Sequence, residues 1–149
     1  MTLPALEGPR VSGLPHDDAG FLQVDADVRA AGVADVFAAG DDTAGPIKQG
    51  GLAAQQADAA ATRIAWEAGA PVEPAPRSPV LRGMLLTGAA PLYLRAELDG
   101  SGRGQVSRSP LWTPPGKVAG RYLTGYLAGA DQAIELEDLQ RRVAMPVAT

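Results

Sequence analysis

The stretch from Gly50 to Glu67 constrains this chain most. Ala53, Ala57, Ala60 and Ile64 recur at helical spacing, with Gln55, Asp58 and Thr62 on the other side. That pattern predicts a single helix closed by Gly69. A stripe built mostly of alanine buries little area per residue but lets a neighbouring backbone come close, so the helix depends on tight tertiary packing. It calls for a partner sheet. Val33 to Ala39, just upstream and ending at Gly40-Asp41, reads as a short strand, and within it Val36-Phe37-Ala38-Ala39 has no polar alternation, the pattern of a strand buried on both faces, as in a parallel sheet covered by helices. Phe21-Leu22-Gln23-Val24 follows Gly20 and is stopped by Asp25, which predicts a second short strand. Met1 to Gly20 carries Pro4, Gly8, Pro9, Gly13, Pro15 and an Asp17-Asp18 pair, and reads as a surface loop.

Past Gly69 the character of the chain changes. Residues 70–79 hold four prolines in ten positions and no periodicity, which predicts a linker and a boundary between residues 1–69 and 80–149. Val80 to Thr87 and Leu92 to Leu98 are separated by Gly88-Ala89-Ala90-Pro91, a spacing that suits an antiparallel hairpin. Leu92, Leu94, Ala96 and Leu98 alternate with Tyr93, Arg95 and Glu97, so one face is expected to be wet. Asp99 to Gly104 is a Gly-rich loop. Val118, Ala119, Tyr122, Leu123, Tyr126 and Leu127 form a wide helical stripe opposite Lys117, Arg121 and Thr124. A final helix is expected after an Asp131 N-cap, with Leu136, Leu139 and Val143 on one face and Glu137/Arg141 and Asp138/Arg142 at i,i+4.

Composition excludes several function classes. The 149 residues suit one domain and are too few for a complete two-domain enzyme. Thirteen Lys and Arg against 17 Asp and Glu leave a net charge of −4, so the electrostatic footprint of a nucleic-acid binder is missing. No apolar run approaches the ~20 residues of a membrane-spanning helix, and Met1 to Arg10 carries no apolar signal core. A cytoplasmic chain is expected, with peripheral membrane association as a lesser alternative. No cysteine and one histidine, His16, remove a disulfide scaffold, a zinc cluster and a thiol nucleophile. His16 lies in a Pro/Asp-rich loop without a second metal-type residue nearby and is assigned no role.

The residues that carry chemistry are Val36 to Thr43, followed by Lys48-Gln49-Gly50-Gly51 at the start of the alanine-rich helix. Gly40 lets a ligand approach the backbone, and Asp41, at the carboxyl end of a strand, can accept hydrogen bonds from sugar-like hydroxyls. Unpaired amides at Gly50 and Gly51 favour an anion or developing negative charge. Asp42 and Thr43 read as a turn cap or solvated loop, and Gln55 and Gln56 as structural polar positions.

The string from Gly20-Phe21 through Val24-Asp25 to Val36-Phe37-Ala38-Ala39-Gly40-Asp41 resembles the second flavin-binding motif of FAD-dependent pyridine nucleotide-disulfide oxidoreductases. With Lys48-Gln49-Gly50-Gly51 and Gln55-Gln56-Ala57 it is most similar to the branch holding type II NADH dehydrogenases and sulfide:quinone oxidoreductases. The resemblance implies an α/β to α+β fold, a fragment of a flavin-binding Rossmann-type domain (strand, loop, helix) followed by a small C-terminal region with a β-hairpin and two helices. It implies that Asp41 bonds the ribityl chain of FAD, that Gly40 lies beside the pyrophosphate, and that the amides around Gln49, Gly50 and Gly51 face the pyrimidine end of the flavin. Lys48 would add positive charge there if it points inward.

The match covers about residues 5 to 67 well, and the hairpin with Leu111-Trp112 to Leu127 more loosely. A G-x-G-x-x-G after an opening strand is missing for both the flavin and the nicotinamide nucleotide, and Gly100-Ser101-Gly102-Arg103-Gly104 has the wrong spacing. The expected function is therefore the C-terminal part of an FAD-dependent NAD(P)H oxidoreductase, catalytically incomplete alone, whose partner is the N-terminal FAD/NAD(P)H-binding part of the same protein. The alternative is a non-enzymatic self-association or interaction module that keeps the flavin motif as scaffold. Apolar surface at Val36 to Ala39 and along the alanine stripe predicts self-association. The Lys117 to Leu127 stripe could seat the chain on a membrane surface, or serve equally as a core or dimer face.

Overall fold

A computed structural model of the chain describes residues 5–75, 78–113 and 120–129. It is an α+β arrangement: one long helix, α1 (Gly50–Glu67), a three-stranded antiparallel sheet in the order β1 (Val80–Leu85), β2 (Leu92–Glu97), β3 (Gly104–Ser107), and helical turns over 123–129. Among the described residues no helix is long and apolar enough to cross a membrane. The helix expected from Asp131 through Val143, and Lys117, Val118 and Ala119 of the preceding stripe, lie outside the described residues.

Helix α1 ends where its sequence says it should. Gly69 takes φ +86°, its amide donates to the Trp66 carbonyl at 2.9 Å, and the Ala70 amide donates to that of Ala65 at 2.9 Å. This is the Schellman pattern, in which a left-handed residue turns two orphan carbonyls back onto amides. Small side chains let backbone approach α1. A Cβ built on Gly40 would sit 3.5 Å from the Ala53 Cβ, and one on Gly120 would sit 3.2 Å from the Ala54 Cβ.

The buried side of α1 differs from the expected stripe. Gly51, Ala54 and Ala60 are buried, whereas Ala57 is exposed and Ile64 is 49% exposed. The polar residues expected outside instead face backbone. The Gln55 side-chain amide donates to the Val80 carbonyl and accepts from the Val80 amide, both at 2.9 Å. Gln49 Nε2 donates to the Arg82 carbonyl at 2.5 Å. The free edge of β1 thereby gains partners that a neighbouring strand would otherwise supply. The Asp58 carboxylate accepts the amides of Arg121 (2.5 Å) and Tyr122 (3.2 Å). A helix laid along a sheet edge meets unpaired N–H and C=O groups, so its glutamines turn toward the edge, while its aspartate turns toward the amides of Arg121 and Tyr122 and its surplus alanine and isoleucine turn out.

Residues 21–44 carry isolated bridges where two short strands are expected. Leu22 pairs in parallel with Thr43, Val24 antiparallel with Ala30, and Arg29 antiparallel with Phe37. Val36, Phe37 and Ala38 are half-buried and Ala39 is exposed, so the run is not covered on both faces. Among the described residues no regular strand lies alongside it to complete a parallel sheet, and an isolated pair does not extend into regular strands. The buried apolar centre is small: Leu22, Val28 and Ala30 below α1, with Ala54 and Ala60 from α1 itself. Ion pairs from Arg63 to Asp27 and from Arg29 to Glu67 tie the second half of α1 to this layer. Val28 is fully buried at φ +60°, a strained position for a β-branched residue.

The hairpin forms as expected, with Val80 opposite Glu97 through to Leu85 opposite Leu92. β3 adds to it through Arg95 opposite Gln105 and Leu94 opposite Val106. That register puts Val80, Arg82, Met84, Tyr93, Arg95, Glu97 and Gln105 on one face, and Leu81, Leu85, Leu92, Leu94, Ala96 and Val106 on the other. Both faces are partly covered: Tyr93, Arg95 and Glu97 are half-buried on the first and Leu81, Leu92 and Ala96 on the second, while Met84 and Gln105 of the first and Leu85, Leu94 and Val106 of the second are exposed. Trp112 packs edge-on against Tyr93 at 5.4 Å, and Arg95 pairs with Glu97 at 3.2 Å, so pairing within the polar face lets the chain fold over it.

Candidate functional site

Gly40 to Thr43 forms a tight turn in which the Thr43 amide donates to the Gly40 carbonyl at 3.1 Å. Gly40 sits at φ +91°, where glycine is without steric cost. Two side chains hold the turn. The Thr43 hydroxyl donates to the Gly40 carbonyl at 2.8 Å. Gln56 accepts the Gly40 amide at 2.7 Å and donates to Thr43 Oγ1 at 3.1 Å. Thr43 is 3% exposed, so its hydroxyl is structural, as is Gln56. The Asp42 carbonyl accepts the Leu22 amide at 2.8 Å and the Ala44 amide donates to the Leu22 carbonyl at 2.7 Å, which ties the turn to the layer beneath.

The fixed turn presents Asp41 to a cavity of about 570 Å³. Its walls are the turn itself, the loop from Ala44 to Ile47, the first turn of α1 (Gln49, Leu52, Ala53, Gln56), and the end of the sheet at Pro79, Glu97, Leu98, Gly100 and Gly102. Asp41 is exposed and makes no hydrogen bond or ion pair among the described residues. Glu97, the second carboxylate in the wall, is held by Arg95 at 3.2 Å and Arg103 at 3.1 Å. Among the described lining residues there is no cation. Two carboxylates without a cation among the described lining residues disfavour an anionic group placed directly beside them.

Of the residues singled out in sequence, Gly40, Asp41 and Gln49 line this one cavity. Gly50 and Gly51 begin α1 beside it, Gly50 exposed and Gly51 buried. Gln49 is the N-cap residue in extended backbone without a side-chain cap, so the first amides of α1 stay free of a capping side chain. Lys48 does not line the cavity. Its ammonium donates to the Thr43 carbonyl at 2.5 Å and lies 3.8 Å from the centre of the Phe21 ring. Its charge stabilises the loop from below.

The sheet's contribution to the cavity wall is absent from the sequence reading. Glu97, Leu98, Gly100 and Gly102 reach the cavity because the hairpin folds back across the Pro-rich stretch. A Gly-rich loop bracketed by Asp99 and Arg103 was the available signal. The Asp99 carboxyl is held below its ordinary range first by the Ser101 hydroxyl, then by the Ser101 amide and Arg103. His16 is exposed, with Nδ1 3.1 Å from the Asp17 carbonyl. Among the described residues no cluster of three or more metal-type side chains occurs. No protein-family model matches the sequence, and no curated protein matches it.

Proposed function

We propose that this chain supplies the ribityl and isoalloxazine side of the flavin site of an FAD-dependent NAD(P)H oxidoreductase, as the C-terminal part of a Rossmann-type arrangement completed by an N-terminal part. The observation that carries the proposal is the free Asp41 carboxylate, displayed on a turn locked by Gln56 and Thr43 at the rim of a cavity without cations. A carboxylate in that position accepts hydrogen bonds from a polyol, and Gly40 leaves room for a ligand to lie along the backbone. The volume suits a flavin ring system with its side chain.

When bound, the flavin supplies hydride transfer from the reduced nicotinamide to an acceptor. The chain's own contribution is positional. Asp41 orients the side-chain hydroxyls, the α1 amides beside Gly50 and Gly51 favour negative charge at the pyrimidine edge, and Leu52, Ala53 and Leu98 exclude water. The chain alone is expected to bind flavin weakly and to turn nothing over, because half of the cradle belongs to other residues.

Amide chemical shifts test the reading. Titrating FAD should shift Gly40 to Thr43 and Gln49 to Ala53 saturably, while reduced nicotinamide nucleotide alone leaves them unmoved. Shifts confined to other residues, or none at millimolar FAD, refute it.

A separate observation favours a second reading, self-association. The Leu81, Leu85, Leu92, Leu94 and Val106 face is apolar, with Leu85, Leu94 and Val106 exposed and Leu81 and Leu92 half-buried, and two such faces can pack about 10 Å apart as a sandwich. A second copy of the chain is the expected occupant. Sedimentation should show a concentration-dependent dimer that Val106→Lys abolishes; a monomer at all concentrations refutes it.

A further inference from the structure

A second cavity, of about 420 Å³, lies on the polar face of the sheet. Among the described residues it is lined by Gln55 and Asp58 of α1, Arg82 of β1, Thr113, and Gly120, Arg121 and Thr124. Nothing in the flavin reading uses it. Each polar group in its wall can be followed to its partner, and the remainder defines what the cavity can take.

The amide and carboxylate acceptors each carry a hydrogen bond. The Gln55 amide is held at both ends by Val80, and its Nε2 also donates to the Gly51 carbonyl at 3.0 Å. Asp58 accepts the Arg121 and Tyr122 amides, one on each carboxylate oxygen. Thr124 Oγ1 accepts the Gly120 amide at 3.2 Å, which leaves its O–H free to donate. The donors are not occupied. The Arg82 guanidinium makes no hydrogen bond or ion pair among the described residues, and its Nε is sealed from solvent without a partner. Arg95 stands directly opposite it across the sheet and spends its own charge on Glu97. Two like charges in register are unfavourable, and a half-buried guanidinium without a counter-ion more so. Arg121, whose guanidinium lies 5.5 Å from the centre of the Tyr122 ring, is a second cation among the lining residues, against the single committed carboxylate of Asp58.

We infer that this cavity binds a phosphate group, gripped by the Arg82 guanidinium with Arg121 and the Thr124 and Thr113 hydroxyls around it. A wall whose free charged groups are donors, with hydroxyls that can donate beside them, and whose charge is net positive, favours an acceptor-only anion. Two guanidinium groups and two hydroxyls match the oxygens of a phosphate better than the two of a carboxylate, and arginine's planar fork suits paired oxygens. The inference is independent of the flavin reading, since the two cavities share no lining residue except through α1 as scaffold. Free phosphate and the phosphate end of a larger molecule share this chemistry, and the experiment distinguishes the two sources.

The buried Arg82 Nε–H gives the readout. Titrating inorganic phosphate into the chain should move the Arg82 Hε resonance and the Thr113 and Thr124 amides together along one saturable curve. Arg82→Gln should weaken binding at least about tenfold, with Arg82→Lys between the two, by the loss of a charge-assisted pair. Thr113→Val, which leaves both arginines in place, should weaken binding a few-fold and guards against a folding defect in the Arg82 variants. Phenyl phosphate binding as tightly as inorganic phosphate assigns the site to an esterified phosphate; preference for the inorganic ion assigns it to free phosphate. Shifts that acetate reproduces at the same concentration, or that survive in a folded Arg82→Gln variant, or no saturable shift, overturn the inference.

Discussion

Replacing Gln56 by leucine removes the brace of the Asp41 turn while keeping the size and helix preference of the side chain. Two hydrogen bonds disappear, from the Gly40 amide at 2.7 Å and to Thr43 Oγ1 at 3.1 Å. Each is worth about 0.5–1.5 kcal/mol net, and leaving the Gly40 amide unpaired in a half-buried place adds desolvation, for a total of about 2–3 kcal/mol. Thr43→Val removes the hydroxyl that donates to the Gly40 carbonyl at 2.8 Å and should cost about 1–2 kcal/mol. Because Thr43 Oγ1 also receives Gln56, the two losses overlap, and the double variant should fall short of their sum by at least about 0.5 kcal/mol. Urea unfolding at constant slope measures this, with a midpoint shift of about 1 M for Gln56→Leu. A loss under about 0.5 kcal/mol, or strict additivity in the double variant, refutes the idea that these side chains hold the turn.

Other residues test other joints. Gly8→Ala should destabilise by about 1–3 kcal/mol, because a Cβ there would lie 2.2 Å from the Gly20 carbonyl carbon and backbone must move; an unchanged melting temperature contradicts that approach. Gln55→Leu strips the free edge of β1 of both bonds to Val80, and amide exchange at Val80 should accelerate at least about tenfold while the Leu94 amide keeps its protection. The folded carboxyl of Asp99 lies below its unfolded value, so its contribution to the β2–β3 rim is present above about pH 4 and is lost as pH falls through the lowered folded value. Ser101→Ala should return the midpoint of Asp99 upward in an NMR titration, and an unmoved midpoint contradicts the assigned cause.

Local signals in the sequence are realised wherever the interaction is itself local. Gly69 marks the end of α1 because a left-handed residue is needed there, and Gly88 to Pro91 marks the hairpin because few residues tolerate that turn. Gly40 and Asp41 stand out for the same reason, and the structure does display both at one cavity. The misreadings concern which face meets which neighbour. Gln55 and Asp58 look like solvent-facing polar residues on a helical wheel, but the bare edge of β1 draws Gln55 to Val80 and the amides of Arg121 and Tyr122 draw Asp58. Neither face of β2 is fully wet, for a related reason: Trp112 covers Tyr93, and Arg95 finds Glu97, so the charged face is partly covered as well as the apolar one. β3 escapes notice because Gly104 to Ser107 holds one apolar residue, Val106, and its strand character comes from pairing with Leu94. Arg82 carries no signal in sequence at all; its lack of a partner appears only once every neighbouring acceptor is accounted for.

Flavin affinity measured side by side for Asp41→Ala and Asp42→Ala tests the central claim most directly. The two residues are adjacent and both exposed, yet only Asp41 lines the cavity. Fluorescence titration with FAD should give at least about tenfold weaker binding for Asp41→Ala, the loss expected when a charge-assisted acceptor is removed, and less than about twofold change for Asp42→Ala, as for a surface substitution. Equal affinities in the two variants, or a larger loss at Asp42, contradict the assignment of Asp41 to the ribityl hydroxyls.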